Sequence, residues 1–247
     1  MTSVNTVAGD AQLALACLDF TRLNEQDDEQ AIISFLDQLR VNKPLPAAIC
    51  VYPQWLKLVC DYMNAHLSAP ISLATVTNFP SGEQPLHEVL EQTQRALELG
   101  ANEIDLVLPY KAMLASDEPL ALKYVRNSKE VCQGRAKLKV IIESGELPIQ
   151  RVALATRIAI EGGADFVKTS TGKVPVNATL EAVEVMLEEI KRSDETVGLK
   201  VSGGVKTLQQ AQEYMQLVAS MMGKEWITPN HFRFGASSLL EELYAVL

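Results

Sequence analysis

Ala164-Asp165-Phe166-Val167-Lys168-Thr169-Ser170-Thr171-Gly172-Lys173 begins as a buried strand and ends as a polar loop, with a lysine at the join. Val197-Gly198-Leu199-Lys200-Val201-Ser202-Gly203-Gly204-Val205 repeats the pattern further along. In each, a cation ends a short β-branched or aromatic run and small, loop-forming residues follow. Barrel enzymes carry their chemistry at the carboxyl ends of parallel strands. A lysine near a second cation, in a partly dry site, loses its proton more easily and becomes a nucleophile. The two stretches therefore point to a reactive amine at a barrel strand end and to Schiff-base chemistry on a carbonyl substrate.

Outward from these stretches, short apolar runs alternate with amphipathic ones along the whole chain. Strands are predicted at 16–21, 48–52, 71–77, 103–108, 137–143, 165–170, 197–201 and 231–235. Helical patterns fall near 28–40, 54–67, 86–99, 117–133, 149–162, 179–193, 207–222 and 238–246. Gly100 and Gly162 stand where helix C-termini are expected, since glycine accepts positive φ there. Thr207 with Gln210 reads as a capping box. Eight strands alternating with eight helices, without linker or composition shift, predict an α/β fold, a single (β/α)8 TIM barrel over residues 1–247. A doubly wound open sheet gives a similar alternation, so the count alone does not decide.

The bulk properties narrow the function. A length of 247 residues is near that of one such barrel. With 47% hydrophobic and 21% charged residues the chain reads as an ordinary globular protein. A net charge of −9 without a basic face argues against general nucleic-acid binding. No apolar run approaches the roughly 18 residues of a membrane span, and the first 20 residues lack a basic region ahead of an apolar one, as a secretory signal would need. Cys17, Cys50, Cys60 and Cys132 are scattered without a CxxC, which fits a reduced, cytoplasmic protein. His66, His87 and His231 show no metal-ligand spacing, so no metal is expected. No nucleotide fingerprint occurs, and no cofactor is expected.

Two constellations carry candidate chemistry. In Glu103-Ile104-Asp105-Leu106-Val107-Leu108-Pro109, alternation sets Asp105 on the face opposite Ile104, Leu106 and Leu108, so helices covering the apolar face turn Asp105 into the barrel. Lys139, Lys168 and Lys200 allow the same placement. Converging amines lower one another's pKa, and desolvation lowers it further. Asp19, Thr21, Asn24, Glu143, Ser170 and Thr171 are the other polar residues at strand ends. The second constellation suits phosphate. Ser202-Gly203-Gly204-Val205 follows strand seven, and Gly235-Ala236-Ser237-Ser238 follows strand eight and opens the last helix. Barrels bind phosphate with these two loops through bare backbone N–H groups and a helix N-terminus. Ser237 and Ser238 are placed both to cap that helix and to donate to an anion. Gly172, Lys173 and Lys206 complete the set and supply local positive charge. Cys50, in Ala47-Ala48-Ile49-Cys50-Val51-Tyr52-Pro53, reads as buried packing.

The chain resembles the deoxyribose-phosphate aldolases, class I aldolases of deoxynucleoside breakdown. The resemblance runs from Leu18-Asp19-Phe20-Thr21-Arg22-Leu23-Asn24 to Phe234-Gly235-Ala236-Ser237-Ser238-Leu239-Leu240. Its most specific parts are Ala47 to Pro53, Ala74-Thr75-Val76-Thr77-Asn78-Phe79-Pro80, and Phe166 to Lys173. It implies reversible cleavage of 2-deoxy-D-ribose 5-phosphate into acetaldehyde and D-glyceraldehyde 3-phosphate. It implies Lys168 as the Schiff-base lysine, Lys200 as the neighbouring cation, Asp105 as the proton-relay carboxylate and Lys139 close to that relay. It assigns Gly172, Lys173, Gly203, Gly204, Gly235, Ser237 and Ser238 to the phosphate pocket, and Asp19, Thr21 and Thr171 to the sugar site. It suggests a homodimer and leaves Glu143 without a role. The chain departs from bacterial members at Val201-Ser202, where they carry Pro-Ala, and at Lys206, where an arginine is common. Where some of them end in a catalytic tyrosine, Tyr244 falls in the last helix. Two rival readings are another Schiff-base barrel aldolase with a longer sugar phosphate, and a catalytically silent sugar-phosphate binding protein.

Overall fold

Eight short, largely buried runs form the strands of a closed parallel barrel. A computed structural model describes residues 3–39, 42–67, 69–193 and 196–247. The strands are β1 (Leu18–Arg22), β2 (Ala48–Val51), β3 (Ser72–Thr77), β4 (Glu103–Val107), β5 (Lys137–Ile141), β6 (Phe166–Lys168), β7 (Gly198–Ser202) and β8 (Phe232–Ala236). They are ordered β1 to β8 around the barrel, and β8 closes on β1 in parallel with Leu18 opposite Phe234. The expected (β/α)8 TIM barrel is the observed fold.

Alternation along the strands separates two kinds of core. Ile49, Ile104, Leu106, Leu138, Val140, Val167, Leu199, Phe232 and Phe234 face outward into one apolar cluster shared with the helices. Ala48 and Cys50 of β2 pack with Ala74 and Val76 of β3 as a small separate cluster. That second cluster fills one side of the barrel interior. Charged side chains from β1, β4, β5, β6, β7 and β8 fill the other.

Most element boundaries fall within two residues of expectation. Strand one starts at Leu18 rather than 16, because the residues before it form a helix, Ser3–Ala16, which the sequence reading missed. Ala11, Ala14 and Leu15 are buried at helical spacing, and this helix packs on Leu239–Val246 and Leu208–Met222. A short helix, Tyr110–Leu114, was also missed. The helix expected over 28–40 covers only Glu29–Leu36, and position 40 lies outside the described residues. β6 is shorter than expected, so Thr169 and Ser170 belong to the loop after it.

The predicted capping box is present at the start of Leu208–Met222, with Thr207 and Gln210 bonding each other's backbone. Gly100 carries the expected positive φ of +96° after helix Leu86–Glu98. Gly162 does not: its φ is −75°, and Gly163 takes the positive value, +87°. Gly162 is needed for space instead, since a Cβ there would sit 2.4 Å from Val125 Cγ1.

Candidate active site

The strand register sets the charged residues on matching rungs. Asp105 pairs with Lys139 across β4 and β5, Lys168 with Lys200 across β6 and β7, and Lys200 with Arg233 across β7 and β8. All point into the barrel, where Asp19, Asp105, Lys139 and Lys200 are fully buried and Lys168 is 1% exposed. A charge in such a place must be paired, and each one is.

Asp105 Oδ2 accepts from Lys168 Nζ at 2.7 Å and from Lys200 Nζ at 2.7 Å. Asp19 Oδ2 accepts from Lys200 Nζ at 2.6 Å and from Lys139 Nζ at 2.6 Å. Lys139 also meets Glu103 Oε2 at 2.5 Å and Asp105 Oδ1 at 3.3 Å. Lys139 therefore touches three carboxylates and Lys200 two, while Lys168 touches Asp105 alone.

This difference ranks the amines. Burial pushes each one down from the ordinary lysine range. For Lys139 the pull of Asp105, Asp19 and Glu103 outweighs burial and holds the amine well above that range. Asp105 and Asp19 likewise raise Lys200. For Lys168 burial, with the repulsion of Lys200, outweighs the pull of Asp105, and its pKa falls. On the acid side burial is again overcome. Lys139, Lys200 and Arg233 hold Asp19 well below the carboxylate range, and Lys139, Lys168 and Lys200 do the same for Asp105. Lys168 is thus the cation of the group that gives up its proton most readily. Cys50 faces the same cluster from β2, and burial pushes its thiol up to about 11, so it stays neutral.

Lys168 reaches a cavity of about 220 Å³ at the carboxyl ends of the strands. Its lining includes Thr21, Thr171, Gly172, Lys173, Gly203, Gly204, Lys206, Gly235, Ser237 and Ser238. The structure thus gathers the amine and the expected phosphate loops around one space. Gly203 and Gly204 have φ of +85° and +91°, which explains the Gly-Gly pair. Gly235 is a matter of close approach, since a Cβ would lie 2.6 Å from Ser202 Oγ and 3.0 Å from Lys200 Cε. At Val201-Ser202, Ser202 N donates to Thr169 Oγ1 at 2.9 Å, and Thr169 Oγ1 donates to Ser202 O at 3.0 Å.

Three of the expected site residues make contacts that the sequence alone does not show. Asp19, which the resemblance matches to the sugar site, turns its carboxylate onto Lys139, Lys200 and Arg233. Ser238 occupies the N-cap of Leu239–Val246 but its side chain makes no cap hydrogen bond. Lys173 Nζ donates to Leu23 O at 2.6 Å, tying the loop after β6 to the loop after β1.

Glu143 has a place that the sequence did not reveal. It sits just after β5 with φ +53°, is fully buried, and accepts from Thr171 N at 3.1 Å and Thr171 Oγ1 at 2.6 Å. Thr171 Oγ1 in turn accepts from Lys173 N at 3.0 Å. Glu143 therefore staples the loop that carries Thr171, Gly172 and Lys173. Glu103 and Arg233 were not singled out either. Their signal was alternation: Glu103 shares the parity of Asp105, and Arg233 stands between two buried phenylalanines.

Among the described residues, no group of histidine, cysteine and acidic side chains is placed to hold a metal ion, and no helix is long and apolar enough to cross a membrane.

Fold and site together define a (β/α)8 barrel with a lysine-centred polar site at the carboxyl ends of its strands. The sequence pattern of the DeoC/LacD family aldolases matches residues 13–243, and the chain belongs to that family. It is an aldolase, a carbon–carbon lyase. Solved structures share the fold. A candidate deoxyribose-phosphate aldolase from Toxoplasma gondii ME49 superposes with a TM-score of 0.91 at 23% identity, over 98% of this chain and 97% of that one. An aldolase designated QR15 gives 0.77 at 25% identity, over 94% and 96% of the chains. The deoxyribose phosphate aldolase from Aeropyrum pernix, described as a tetramer, gives 0.76 at 22% identity, over 99% and 97%.

Proposed function

We propose that the protein cleaves 2-deoxy-D-ribose 5-phosphate reversibly to acetaldehyde and D-glyceraldehyde 3-phosphate, through a Schiff base on Lys168, in the breakdown of deoxyribose phosphates. The observation that carries this reading is the shared cavity: Lys168 opens onto the same space as Gly172, Gly203, Gly204, Ser237 and Ser238. One end offers an amine of lowered pKa and the other offers backbone N–H groups and hydroxyls for a phosphate.

In the proposed sequence, the neutral Lys168 Nζ attacks the C1 aldehyde of the open-chain sugar. The carbinolamine loses water and becomes an iminium ion, an electron sink. Asp105, through a water molecule, takes the proton of the C3 hydroxyl. The C2–C3 bond breaks, its electron pair moves into the iminium to form an enamine, and glyceraldehyde 3-phosphate leaves. Protonation of the enamine at C2 and hydrolysis of the imine release acetaldehyde and regenerate the amine. Lys200 holds Asp105 ionised and keeps the proton of Lys168 labile. The loops around Gly172, Gly203 and Ser237 hold the phosphate, so the reacting carbon is fixed against Lys168. Lys206 and Lys173 give this end of an acidic protein a local positive charge.

The test is cleavage of 2-deoxy-D-ribose 5-phosphate by purified protein and by Lys168→Leu. Aldehyde release is expected from the first and none from the second, with both folded by circular dichroism. Undiminished turnover by the variant would sink the proposal.

A further inference from the structure

The charged interior continues beneath the lysines. Arg233 and Glu103 are 3% and 2% exposed and do not line the cavity. Arg233 Nη1 donates to Asp19 Oδ1 at 2.5 Å, and Nη2 donates to Glu103 Oε1 at 3.0 Å. Arg233 also lies over the Phe166 ring, 5.6 Å from its centroid. The proposed aldol chemistry uses neither residue. Burying an ion pair is costly, and barrel interiors are ordinarily filled with branched apolar side chains. Two extra charges in this layer call for a physical reason.

Charge counting supplies one. The groups in direct ion contact are three carboxylates, Asp19, Glu103 and Asp105, and four cations, Lys139, Lys168, Lys200 and Arg233. One positive charge is in excess. Arg233 does not release its proton, and its two carboxylates push it further up. Lys139 and Lys200 are each held by two or more carboxylates. Lys168 is held by one.

We propose that Arg233 and Glu103 are positioning residues that set the protonation of Lys168, Arg233 by supplying the excess positive charge that Lys168 relieves by staying neutral, Glu103 by limiting that excess. The coupling runs through shared oxygens. Arg233 and Lys200 both bind Asp19, and Lys200 and Lys168 both bind Asp105 Oδ2. Other groups face the cluster: the neutral Cys50 thiol from β2, the Cys17 thiol just before β1, within reach of Arg233 and Asp19 and pushed up by burial, and Glu143 beyond β5, bonded to Thr171. β3 brings no titratable side chain. This proposal rests on the reading of Lys168 as the reactive amine.

The experiment measures the rate at which acetaldehyde with cyanoborohydride labels Lys168 across pH, mapped by peptide mass spectrometry. Only the neutral amine reacts, so the rate rises with pH through its pKa. Arg233→Met removes the excess cation, and the half-maximal pH should move up by about one unit or more. Glu103→Gln leaves two carboxylates against four cations, and the half-maximal pH should move down by about as much. The double variant restores an excess of one and should return toward the parent value. Arg233→Lys keeps the charge and should keep the midpoint. A purely structural role predicts lost activity without opposite displacements. Unmoved midpoints in folded single variants, or displacements in the same direction, overturn the proposal. If circular dichroism shows the single variants unfolded, the double variant and Arg233→Lys carry the test, and a displaced midpoint in either overturns it. Parent protein that takes no label at Lys168 overturns the reading of the amine and this proposal with it. Label without displacement overturns this proposal alone.

Discussion

Lys168 differs from Lys139 and Lys200 in the number of carboxylates it meets, one against three and two. All three are buried lysines on adjacent parallel strands, so desolvation acts on each alike. Pairing is what separates them, and it leaves Lys168 the readiest to act as a free amine. The same reasoning explains Glu143. A buried carboxyl is costly unless hydrogen-bonded, and Glu143 spends both oxygens on Thr171. Burial pushes its pKa up, with the Thr171 bonds opposing in part. Its removal frees the loop that carries Gly172 and Lys173. Glu143→Ala should raise KM for the phosphorylated substrate about tenfold, the equivalent of one charge-assisted hydrogen bond. kcat should change less, because Asp105, Lys168 and Lys200 keep their contacts. Steady-state kinetics with phosphorylated and unphosphorylated deoxyribose check this, and an equal loss on both would count against the loop assignment.

At the scale of elements, strands were easier to read than their neighbours. Short apolar runs between amphipathic stretches located all eight, because parallel strands covered by helices are buried and read as apolar runs. The Ser3–Ala16 helix was hidden because its Ala-Leu run merges without a break into β1. Tyr110–Leu114 was hidden because one turn and a half carries no periodicity to detect. Glycines carried two meanings that sequence could not separate. Gly163, not Gly162, supplies the positive φ after helix Ile149–Glu161. Gly162 lets that helix approach helix Glu118–Cys132 at Val125. Gly162→Ala should destabilise the protein by about 1–3 kcal/mol, the usual cost of overpacking. A thermal melt should show Tm lower by roughly 2–4 °C per kcal/mol. kcat should stay at the parent value, since the contact lies outside the barrel. An unchanged Tm would show that the two helices move apart freely.

Across the whole molecule, the closed barrel brings together residues from Asp19 to Arg233 that no local motif connects. Strand parity showed that Asp105, Lys139, Lys168 and Lys200 could converge, and the structure brings them within hydrogen-bond reach. Parity did not reveal depth, which is why Glu103 and Arg233 went unassigned. Depth depends on strand stagger around the barrel, a property of closure rather than of any one segment. Lys168 is the proposed reactive group. Borohydride reduction in the presence of acetaldehyde, followed by peptide mass spectrometry, tests it most directly. An ethyl group on Lys168, within the peptide that contains Phe166 to Lys173, is the expected result. An adduct confined to surface lysines, or none at all, would contradict it.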